Sequence, residues 1–89
     1  MTLHEGYAKL AALTSAPPDT DDALRAAFTE ILKALPKTVT LRVVTGVGKS
    51  GLYTPGQFLS VVQGKRGTEL LNVILAYQCE LDMEANYGS

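Results

Sequence analysis

The residues of this chain that invite chemistry are few and scattered. Gly46-Val47-Gly48-Lys49-Ser50-Gly51 follows a β-branched run, and a glycine-rich loop after a strand is where P-loop proteins cradle phosphate with backbone N–H groups. That pattern also requires a glycine at position 43, which Val43 occupies, so the phosphate-cradling spacing is broken. Gly64-Lys65-Arg66-Gly67-Thr68 precedes a helical run. Unpaired N–H groups, the positive end of a helix dipole and two cations meet there, which favours an anion. His4 and Cys79 are each the sole residue of their type, too few for a zinc site. A Cys–His nucleophile pair would need the first and last helices side by side, whereas Cys79 in an apolar run reads as an inert core thiol. His4, in the first turn of a helix, reads as a surface residue. Glu80, Asp82 and Glu84 could hold a cation but fit a solvated helix end better. No catalytic group, metal, cofactor or small-molecule substrate is assigned.

The charges say more than the reactive groups do. With 89 residues, a net charge of -1 and 46% hydrophobic content, the chain has the composition of one small globular domain and not of a disordered segment. Within it the charges separate. Residues 31–68 carry Lys33, Lys37, Arg42, Lys49, Lys65 and Arg66 and no acid, a charge of +6, while residues 1–30 sum to -3 and residues 69–89 to -4. Such asymmetry predicts opposed basic and acidic faces, unless the fold interleaves the segments. A single Cys makes no internal disulfide, the first thirty residues lack a continuous apolar signal region, and no 18-residue apolar run occurs. A soluble, cytoplasmic protein without a membrane partner is therefore expected.

Local patterns supply the elements that must position these charges. Thr2 and Glu5 have capping-box spacing, and Leu3, Tyr7, Leu10 and Leu13 line one face of a helix over 3–14 that Pro17 and Pro18 end. Asp19, Thr20, Asp21 and Asp22 start a second helix, with an apolar stripe from Leu24 to Leu35 and a stop at Pro36. Thr38 to Thr45 is the one strand signal, and the glycines after it allow Leu52 to Thr54 to return as a hairpin. Thr54, Pro55 and Gln57 combine an N-cap, a proline at the first helical position and a capping box. Tyr53 and Phe58 occupy the staple positions, and Gly64 ends this third helix. Thr68 is expected to cap a fourth helix, nearly apolar all round, with Leu70, Leu71, Ile74, Leu75 and Cys79 in the core. The expected fold is a mainly α, compact four-helix domain, two αα-hairpins with a short strand or β-hairpin between helices 2 and 3. The alternative is an all-α bundle. The domain spans 1–89, with 82–89 as a frayed tail.

The run Val43 to Gly51 resembles the strand and loop of sugar isomerase (SIS) domains, whose Gly-x-Gly-Lys-Ser-Gly turn leads into a helix and helps hold a sugar phosphate. The resemblance covers about nine residues and implies that Ser50 touches phosphate. The chain is also similar in size and helix content to death-fold-type and effector-associated adaptor domains, a likeness at the level of fold alone. The function expected from the charge map is a non-enzymatic protein-interaction module, an adaptor or assembly domain that binds a protein partner or itself. Lys37, Arg42, Lys49, Ser50, Lys65 and Arg66 are its candidate contact or anion-binding residues. A nucleic-acid binder using the basic segment is the alternative. It is weakened by the absence of aromatic residues interleaved with the cations. A sugar-phosphate-binding fragment comes third.

Overall fold

A computed structural model describes residues 1–87. They form α1 (Leu3–Ser15), α2 (Asp21–Ala34), β1 (Leu41–Gly46), β2 (Lys49–Tyr53), α3 (Pro55–Gln63) and α4 (Gly67–Tyr87). The mainly α class with a hairpin between α2 and α3 is thus observed, and the all-α alternative falls. The elements form a closed ring of neighbours: β2 pairs with β1, β1 packs on α4, α4 on α1, α1 on α2, α2 on α3, and α3 meets β2 again. Inside it Phe28, Phe58 and Tyr77 pack on one another with ring centroids 4.8 to 6.0 Å apart. Leu10, Leu32, Val43, Val62, Ile74 and Leu81 close around them without exposed surface or nearly so.

Two helix starts follow local sequence closely. Thr2 Oγ1 accepts from Glu5 N, and Thr2 N donates to Glu5 Oε1 at 3.0 Å. The Thr2 backbone N–H, and after it the Thr2 side chain, hold the Glu5 carboxyl below its ordinary value. The same reciprocal pair joins Thr54 and Gln57 at α3, and the staple rings Tyr53 and Phe58 stand edge to face at 5.3 Å. Strand β1 begins at Leu41, later than expected, because Val39 N donates to Pro36 O in a preceding turn. Strand β2 begins earlier, at Lys49. Val47 and Gly48 alone make the reversal between the paired Gly46 and Lys49, with Gly48 at φ 70°, where a side chain would be strained.

The fourth helix departs from expectation in three ways. It starts at Gly67, so Thr68 lies inside its first turn and is not the cap. Gly67 takes φ 57°, and its N–H donates to Asp21 Oδ2 at 2.9 Å, so the cap comes from α2. Leu75 and Cys79 are exposed instead of buried, because at 100° per residue they fall opposite the stripe Leu70, Ile74, Tyr77 and Leu81 that enters the core. Leu70 and Ile74 are buried as expected and Leu71 is half-buried. The segment expected to fray is helical through Tyr87. Buried Leu81 anchors it, and the Asn86 side-chain amide donates to the Asp82 carbonyl at 3.0 Å and also to the Asp82 carboxylate. Residues 88–89 of that expected tail lie outside the described residues.

Candidate protein-interaction surface

The basic segment is dispersed by the fold into separate places. Lys37 lies with Lys33 at the end of α2, in a groove completed by Leu32, Thr54, Pro55, Gly56 and Leu59. Arg42 points out from β1 and shares a groove with Glu80 and Glu84 of α4, so acid and base that are far apart in sequence are neighbours here. Lys49 and Lys65 line one open groove of about 690 Å³ between the hairpin tip and α4, together with Glu69 and Asn72. Val44, Val47, Val73 and Ala76 supply its apolar wall. Lys65 Nζ is also 3.7 Å from the exposed Glu69 Oε2, a surface pair with one half-buried partner that contributes little by itself.

Hairpin register decides which residues of the loop face outward. Arg42 stands opposite Leu52 and Val44 opposite Ser50, and since Leu41 and Val43 are buried, the alternation of a strand sends this other set to the surface. Ser50 is an exposed strand residue. The helix that the SIS resemblance implies directly after the loop is instead strand β2, and α3 begins only at Pro55. Arg66 is exposed in the turn before α4.

That turn is held from a distance. Arg25 Nε donates to Val62 O at 3.1 Å, its Nη2 to Lys65 O at 2.6 Å, and its Nη1 to Asp22 Oδ1 at 3.0 Å. Arg25 therefore adds a donor to Val62 O, which also accepts from Lys65 N at 3.3 Å, and supplies one to Lys65 O in the turn after α3, where a cation is also favoured by the helix dipole. Asp21, on the same turn of α2, takes the N–H of Gly67. The α4 N-terminus, expected to favour an anion, already holds the carboxylate of Asp21. Aspartates at 21 and 22 were legible as helix starters for α2, but nothing in their spacing signalled this second role.

The apolar surface is concentrated. Among the described residues the exposed large hydrophobic side chains are Val44, Val47, Leu52, Leu75, Met83 and Tyr87, all on the hairpin or α4. Sequence reasoning missed the hairpin members, although adjacent Val43 and Val44 cannot both face inward on a strand. Leu52 and Val44 keep 58% and 59% of their surface, beside Arg42 and Ser50. His4 and Cys79 are both exposed. Among the described residues no cluster of three or more His, Cys, Asp or Glu could hold a metal ion, and no helix is long and apolar enough to cross a membrane. Cations flanking an apolar groove, beside an apolar hairpin face, can bind a complementary protein surface by burial and charge together. No family model, curated protein or solved structure matches the chain.

Proposed function

We propose that this domain is a non-enzymatic protein-interaction module that engages an acidic partner segment on its hairpin and α4 side, with Lys49 and Lys65 as the contacting cations. The carrying observation is that two of the exposed large hydrophobic side chains, Val44 and Val47, line the same groove as these two lysines. Apolar surface gathered in one region and rimmed by charge is typical of interaction sites. Arg42 serves less as a free cation, because two acids, Glu80 and Glu84, share its groove, whereas the two lysines share theirs with the single acid Glu69. The same interleaving weighs against a nucleic-acid surface, which needs several cations aimed at phosphates. The exposed Cys79 thiol suits a reducing, cytoplasmic setting.

The test compares a poly-glutamate peptide with a single-stranded oligonucleotide of equal charge, each titrated into the domain at low and moderate salt. Selective binding of the peptide, lost in Lys49→Glu with Lys65→Glu while the circular dichroism spectrum is kept, is the expected result. Tighter oligonucleotide binding with a steep salt slope would replace this reading with the nucleic-acid one. Peptide binding unaltered by the double substitution would remove Lys49 and Lys65 from the site.

A further inference from the structure

The outward face of α4 carries exposed residues Asn72, Leu75, Cys79, Met83 and Asn86. Their spacing is three, four, four, three, which keeps all five on one face of the helix. Leu75 and Met83 keep 43% and 50% of their surface, although the opposite face of the same helix is fully buried at Leu70, Ile74, Tyr77 and Leu81. The order of the stripe is the same in both directions: amide, apolar, thiol, apolar, amide. A palindromic stripe matches itself when two copies run antiparallel, because a two-fold axis pairs each surface position with its mirror in the sequence.

We infer that a second copy of this chain docks on this face, α4 against α4, antiparallel about a two-fold axis at Cys79. Leu75 of each copy then meets Met83 of the other, Asn72 meets Asn86, and the two Cys79 side chains face each other. Charge selects this direction. The acids of α4 after its first turn, Glu80, Asp82 and Glu84, lie in its C-terminal half, and residues 70–79 carry no charge. Parallel pairing stacks acids on acids and aligns the helix dipoles. Antiparallel pairing lays each acidic half along the partner's uncharged stretch, towards its positive N-terminal end and Arg66. The occupant differs from the acidic segment assigned to the groove, whose lining shares only Asn72 with this stripe, so the inference stands on Leu75, Cys79 and Met83 and not on the lysines.

Sedimentation equilibrium of the full chain under reducing conditions, over a hundredfold concentration range, is the first readout. The apparent mass should rise from one chain towards two, and Leu75→Glu with Met83→Glu should hold it at one while circular dichroism stays unchanged. Mild copper-phenanthroline oxidation is the second. It should join two chains through Cys79 rapidly in the native protein, and the Glu variant should cross-link at least tenfold more slowly. A chain that stays monomeric throughout, or a dimer indifferent to the two Glu substitutions, overturns the inference. A monomer that still binds poly-glutamate through Lys49 and Lys65 overturns it without touching the proposed function.

Discussion

The α1, α2 and α3 side of the molecule and the hairpin and α4 side are built from similar residues to different ends. On the first, the large apolar groups turn inward: Leu10, Leu24, Phe28, Leu32, Phe58 and Val62 are buried. On the second, α4 and β1 bury one face each, β2 buries no residue fully, and Val44, Leu52, Leu75 and Met83 are left in water. Exposed apolar side chains do not stabilise the monomer, so the contrast separates residues that hold the fold from residues free to serve a partner.

The largest expected effect is on the buried side. Phe28 touches both Phe58 and Tyr77 edge to face, and Phe28→Ala should lower unfolding free energy by about 3 to 5 kcal/mol, read by urea denaturation. Next comes the clamp between the two sides. Arg25→Ala leaves the Lys65 carbonyl without its side-chain donor and the Val62 carbonyl with backbone donors alone, and should cost about 2 kcal/mol. A loss well under that would mean that water replaces the guanidinium freely.

Tyr77 sharpens the comparison from inside the core. Its hydroxyl is buried without a hydrogen-bond partner, and burial pushes the phenol above its ordinary value. Ionised Tyr77 is disfavoured in the folded chain, so stability holds below the unfolded phenol value of about 10 and falls as pH rises beyond it. Tyr77→Phe should add about 1 kcal/mol at neutral pH and flatten the alkaline decline in melting temperature. An unchanged alkaline limb would show that other groups cause it. The smallest stability effect belongs to the open side. Val47, which is fully exposed and lines the groove, is the residue to change: Val47→Thr should alter folding by under about 0.5 kcal/mol while weakening partner binding, and a large loss of stability would mean that Val47 supports the fold.

Sequence revealed most where neighbours in the chain decide the structure. The start of α3 was legible because Thr54, Gln57, Tyr53 and Phe58 all lie within six residues, and each makes its contact locally. The start of α4 was misread, because its cap is Asp21, 46 positions away. The apolar character of α4 was visible too, but composition could not say that α1, α2 and β1 leave its outer face uncovered. The charge map failed in the same manner. Arg42 and Glu84 are separated widely in the chain and share one groove in the fold, so counting charges along the sequence overstated their segregation.

The central claim, that the hairpin and α4 side is the contact surface, is tested most directly by amide-resolved NMR during titration with poly-glutamate at low salt. Shifts should concentrate at residues 44–49 and 65–76 and be reversed by added salt, with α1 and the exposed lysines at 9, 33 and 37 unchanged. Shifts spread evenly over every exposed lysine, or centred on Lys33 and Lys37, would contradict it.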